Sequence, residues 1–176
     1  MKFKIAQKHR YWWPVVVRMP DPDNAGKVIE QKLKILFEPQ GRDEAIAAEE
    51  RYAAALKDLS GRYAHYMFTD EPGAHMPAWR DDLPELFMDE YGYDLTERLS
   101  AILDPEKYTA PADEQVRIDY YALCGALFRG QYLRPIRDWC RSHGMALCGH
   151  LNREDSLHGA RQYGYGGLLA ALRMMD

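Results

Sequence analysis

The chain has 176 residues, 47% of them hydrophobic and 28% charged, which suits one folded domain with or without a small appendage. A net charge of −4 and a pI near 5.9 exclude a general nucleic-acid binder, which is usually basic. No apolar run approaches the ~20 residues that a membrane span requires, so neither nucleic acid nor membrane is an expected partner.

The charge is uneven: residues 1–40 hold eight Lys/Arg against four Asp/Glu, so the negative balance falls on the remainder. The opening MKFKIAQKHRYWW has a basic start but no continuous apolar stretch and no small-residue cleavage site, so no secretory signal is expected. Cys124, Cys140 and Cys148 form no CxxC pair. Their odd number argues against a full disulfide framework and makes a reducing cytoplasm the expected compartment, with buried small side chains as their ordinary role.

In chain order, YWWPVVVRM at 11–19 is aromatic and β-branched and predicts a strand, with Pro14 restricting it to an edge or to a start near Val15. The turn formers of 20–26 predict a loop, and KVIEQKLKILF at 27–37 predicts a second strand antiparallel to the first. After a break at 38–41, residues 42–59 are rich in Ala and Glu and read as a helix. YAHYMFT at 63–69 reads as a buried strand ending in Asp70-Glu71-Pro72-Gly73. Short helices are predicted around 83–90 and over 94–103, the second capped by Asp94 and closed by Asp104-Pro105. Asp113 is the expected cap of a long helix over 114–142, weakened at Gly130 and kinked at Pro135. MALCGH at 145–150 predicts a second core strand, and a final helix is expected over about 165–175. The strand, helical excursion, helix, strand rhythm is that of a βαβ unit, and the fold class expected is α/β. Two parts of different texture result, 1–60 as hairpin plus helix and 61–176 as the βαβ segment.

An acid pair delivered by a strand that is otherwise apolar is costly to bury without a purpose. In parallel barrels the C-terminal strand ends carry the catalytic groups. The competing reading of Asp70-Glu71 is a cap or turn after an ordinary strand. His150 and Glu154, after the second strand, read either as ligand contacts or as a loop histidine and a capping acid. Trp79 and Tyr93 are candidates to stack on a ligand's rings, against the commoner role of aromatics in a core. The six histidines show no HExxH or close paired spacing, so neither a metal site nor a cofactor is expected.

FTDEP resembles the fourth strand of clan-A glycoside hydrolases, where an Asn-Glu pair, often followed by Pro, supplies the general acid/base; here Asp70 stands in the Asn position. FMDEYGYDL at 87–95, RIDYY at 117–121, YLRPIRDWC at 132–140 and HGMALCGHL at 143–151 with Glu154 and Ser156 extend the likeness to bacterial β-galactosidase-like or rhamnosidase-like members, over about 62–176. The resemblance implies a partial (β/α)-barrel segment acting on a carbohydrate. Glu71 would be its acid/base, with a pKa raised by burial beside Asp70, and His150 and Glu154 would be sugar contacts. It also implies a nucleophilic carboxylate from a seventh strand, which this sequence does not reach. No residue is therefore assigned as nucleophile, and little or no hydrolysis by the chain alone is expected. Open parallel edges would favour self-association. Residues 1–50, with Trp12-Trp13, Pro20-Asp-Pro and Phe37-Glu-Pro, resemble the start of small phage tail assembly proteins. That likeness implies a tail protein as partner and a non-enzymatic role, or a chimera of two unrelated pieces.

Overall fold

The computed structural model describes residues 4–7, 15–20, 24–35, 50, 65–72, 76–156 and 158–176. The fold is mixed α/β, and the chain divides into two compact units: residues 1–36 with 74–123, and residues 37–73 with 124–176. Each unit is built from two stretches of chain. The helix expected over 42–59 and the Trp12-Trp13 pair lie outside the described residues, Glu50 excepted.

In the first unit β1 (Lys4–Gln7), β2 (Val15–Pro20), β3 (Val28–Ile35) and β5 (Ala78–Trp79) form one sheet in the order β1-β2-β3-β5. The predicted hairpin is present: β2 and β3 run antiparallel, with Val15 opposite Leu33 and Pro20 opposite Val28. β2 begins at Val15, and Pro14 lies outside the described residues. β5 was not foreseen. It pairs parallel with the end of β3, Lys34 opposite Ala78 and Ile35 opposite Trp79. Tyr120 holds it there: the Ala78 amide donates to Tyr120 Oη at 2.8 Å, and that hydroxyl donates to the Ala78 carbonyl at 2.5 Å.

The helices of this unit start and stop where their sequence says. α1 (Leu83–Tyr91) has Pro84 in its first turn and buries Leu83 and Phe87, one turn apart. It ends at Gly92, whose φ of 76° is the left-handed conformation glycine favours, with the Gly92 amide on the Met88 carbonyl at 2.8 Å. Asp94 caps the next turn by accepting from the Thr96 amide at 2.8 Å. The predicted helix over 94–103 is in fact a 3₁₀ turn (Leu95–Glu97) followed by α2 (Leu99–Leu103), closed at Asp104 as expected. Buried Arg117 donates to the carbonyls of Ala101 at 3.0 Å and Tyr108 at 2.7 Å, the first an acceptor that the end of α2 would otherwise leave open.

The long helix begins at Pro111, two residues ahead of the expected cap. Asp113 sits in its first turn and its carboxylate reaches back to the Ala110 amide at 3.2 Å, one half of a capping box. The helix is interrupted as the sequence suggests: α3 (Pro111–Phe128) passes through a π turn (Arg129–Leu133) into α4 (Arg134–Ser142). Pro135 is the second residue after that turn. A proline ring clashes with the carbonyl four residues back and donates no hydrogen bond to it, and the wider π turn absorbs both effects.

In the second unit β4 (Tyr66–Asp70) and β6 (Ala146–His150) pair in parallel, from Tyr66 opposite Ala146 to Asp70 opposite His150. This is the expected βαβ relation. Leu147 packs with Ile136, Cys140 and Met145, and Met67 lies against them. A second cluster joins Phe128, Leu133, Leu151, Tyr163, Tyr165 and Ala171. The expected helix over 165–175 is shorter, α6 (Leu168–Leu172), and α5 (Gly159–Gln162) precedes it. Gly164 and Gly166, at φ of 71° and 74°, break the chain between them.

Two Arg–Asp pairs make the fold acid-sensitive. The hydrogen bond from Arg80 holds the Asp82 carboxyl below the usual carboxylate range, against the opposing effect of partial burial. In the second unit the hydrogen bond from Arg141 does the same for Asp176, helped by the Leu147 amide, which donates to Asp176 Oδ2 at 3.1 Å. A carboxyl with a depressed folded-state pKa adds stability that is present above its unfolded value, about 3.9 for Asp, and is lost as pH falls through the folded value. Asp176→Asn should therefore be less stable than wild type at neutral pH, and the gap should close below about pH 4. Urea denaturation at several pH values checks this; a gap that stays constant would contradict it.

Candidate functional site

Parallel pairing of β4 with β6 puts Asp70 and His150 side by side at the C-terminal ends of both strands. His150 Nε2 lies 2.8 Å from Asp70 Oδ1. That ring nitrogen thus approaches a group that can only accept, which leaves Nδ1 for another partner. The next residue, Glu71, has a φ of 48°, a conformation that costs a residue with a Cβ about 1 kcal/mol or more. Its amide donates to the His150 carbonyl at 3.1 Å. Backbone and side chain thus tie the two strand ends together, and Glu71 leaves the strand with its carboxyl in solvent.

β4 is not buried on both sides: Tyr66, Phe68 and Asp70 are exposed, alternating with half-buried Met67 and Thr69. Only the Met67 side meets the apolar cluster that Ile136 and Cys140 supply from α4. Glu71 is likewise exposed, so it is not buried beside Asp70 as expected. Asp70 is 76% exposed and His150 40% exposed.

The remaining candidates divide. Glu154 takes the capping role: its Oε2 accepts from the Leu151 amide at 3.0 Å, closing the turn after β6. Trp79 belongs to the first unit and is 5% exposed, so its ring is core and has no face for a sugar; its indole nitrogen has no hydrogen-bond partner among the described residues. Tyr93, in the same unit, is half-buried. It packs edge-on against Phe87 and donates its hydroxyl to Asp119 at 2.8 Å. Burial, reinforced by that bond to Asp119, pushes its phenol well above the ordinary tyrosine value.

Phe68 was not singled out by sequence reasoning. Its ring lies 5.7 Å from that of His150, tilted by 51°, and it is 61% exposed. Strand parity held the clue: 66, 68 and 70 share one face, so an exposed Asp70 implies an exposed Phe68. Among the described residues no group of three or more His, Cys, Asp or Glu side chains is arranged to hold a metal ion, and no helix is long and apolar enough to cross a membrane. No family model matches the chain, and no curated protein matches its sequence.

Proposed function

We propose that residues 61–176 are a glycoside-hydrolase-like segment of a (β/α) barrel whose acid/base is Glu71, acting on O-glycosidic bonds. The observation that carries this reading is the meeting of Asp70, Glu71 and His150 at the C-terminal ends of two parallel strands, the end where barrels keep their chemistry. The left-handed backbone at Glu71 adds to it, because such strain clusters at functional sites. Glu71 gives a proton to the leaving oxygen as the glycosidic bond breaks, and His150 is available to a sugar hydroxyl through Nδ1. Cleavage also needs a group to take up the anomeric carbon, normally a second carboxylate. Asp70 is engaged by His150, so the chain alone should turn over aryl glycosides little or not at all.

The test supplies the second carboxylate from outside. Formate attacks the anomeric carbon, the C–O bond to the aryl oxygen breaks, and Glu71 protonates that oxygen. Aryl β-galactosides and α-rhamnosides are assayed with and without molar formate. The expected result is turnover only with formate, reduced about 10²-fold or more in Glu71→Gln, the lower end of what a general acid contributes. Equal rates for wild type and Glu71→Gln would sink the assignment.

A further inference from the structure

The Asp70–Glu71–His150 group is regular neither in backbone nor in side-chain placement, and the irregularity has one source. The first three register steps, Tyr66 with Ala146, Met67 with Leu147 and Phe68 with Cys148, hold ordinary extended backbone at every residue. The fourth step pairs Thr69 with Gly149, whose φ is 146°, a conformation that residues with a side chain rarely adopt. A Cβ on Gly149 would sit 2.0 Å from the Thr69 carbonyl oxygen and 2.9 Å from both the Thr69 carbonyl carbon and its Cγ2. The first two of those atoms are backbone, so the strand itself would have to move. Immediately after this close approach come the His150 ring on Asp70 and the His150 carbonyl on the Glu71 amide.

We infer that Gly149 is the positioning residue of the site: its backbone turns the end of β6 so that His150 meets Asp70 with its ring and Glu71 with its carbonyl. The role rests on the functional reading above in the sense that the site it builds is the proposed acid/base group. Any L-residue at 149 pushes β6 away from Thr69, and the His150 ring then loses its carboxylate partner while the apolar packing of Leu147 on the other side of the strand persists. Gly149 touches no substrate and acts only through His150.

The experiment reads the His150 tautomer, which a merely structural defect would not change selectively. Ring-nitrogen chemical shifts at fixed neutral pH show which nitrogen carries the proton. In the wild-type chain they should report a single tautomer protonated at Nε2, and Asp70→Asn should shift them toward the mixture of a free imidazole. In Gly149→Ala they should already report that mixture, with Asp70→Asn causing no further change. A second variant covers the case in which Gly149→Ala does not fold. Joining a synthetic segment at Cys148 allows D-alanine at 149, which favours positive φ and puts its Cβ on the opposite side from Thr69. It should keep the Nε2 tautomer and its dependence on Asp70. A folded Gly149→Ala that retains the wild-type tautomer would overturn the inference, as would loss of the tautomer with D-alanine. Absent glycosidase turnover with an intact tautomer signal would sink the proposed function and leave the role of Gly149 standing.

Discussion

Replacing Phe128 by alanine is expected to destabilise the second unit by about 3–5 kcal/mol, the range for removing a buried phenylalanine from a core. Phe128 is fully buried at the end of α3, stacks on Tyr132 with centroids 5.6 Å apart and planes 14° apart, and lies 6.4 Å from the ring of Tyr165. It also sits immediately before the π turn, where the backbone is least able to collapse into a cavity without disturbing Leu133. A loss of that size lowers the melting temperature by about 10 °C or more. Urea denaturation followed by near-ultraviolet circular dichroism, which senses the clustered tyrosines, would measure it. A loss below about 1 kcal/mol would mean that the cluster around Phe128 is not the core of that unit.

The second large effect is one whose sign the sequence gets backwards. Glycine in a helix is worse than alanine by about 1 kcal/mol, so Gly125→Ala in the interior of α3 looks stabilising. The structure reverses this. A Cβ at 125 would lie 2.6 Å from Gly166 Cα and 2.9 Å from Gly166 N, with Arg129 Nη1 at 3.1 Å. Gly166 presents backbone, held at a φ of 74°, and cannot step aside as a flexible side chain would. Overpacking of this kind costs typically about 1–3 kcal/mol and sometimes more, which outweighs the gain in helix propensity. Gly125→Ala should therefore be destabilised by up to about 2 kcal/mol net. A variant stabilised by about 1 kcal/mol would show that propensity alone governs the position.

Local signals were the legible ones. Leu83 and Phe87 one turn apart, Pro84 near the start and Gly92 past the end define α1 to within a residue, because caps and periodicity are written in neighbouring positions. The Asp94 cap, the stop at Asp104 and the interruption ahead of Pro135 come from the same kind of information. Non-local pairing was not legible. β5 is two residues long and owes its place to β3 and to the hydroxyl of Tyr120, 42 positions away. The final helix is shorter than its composition implies because Gly164 and Gly166 carry left-handed turns, which composition alone does not distinguish from helical glycine.

The candidate site was legible as chemistry and not as environment. An acid pair closing an apolar strand, and a histidine closing the next, are visible in the sequence, and parallel pairing brings Asp70 to His150. Burial of that strand could not be read, since it depends on what covers each face. One face of β4 meets the cluster that α4 supplies; the other leaves Tyr66 and Phe68 in solvent. The aromatic side chains nominated for sugar stacking failed for the same reason. Trp79 is spent in the core and Tyr93 is held by Asp119.

What Glu71 does is most directly tested by varying the leaving group in the formate-supported reaction. If its carboxyl supplies the proton, Glu71→Gln should cost about 10²-fold or more with a poor leaving group such as phenol. It should cost almost nothing with dinitrophenol, which departs without help. The same small loss with both leaving groups would contradict a proton-donating Glu71 and, with it, the reading of these two strand ends as a site of glycoside cleavage.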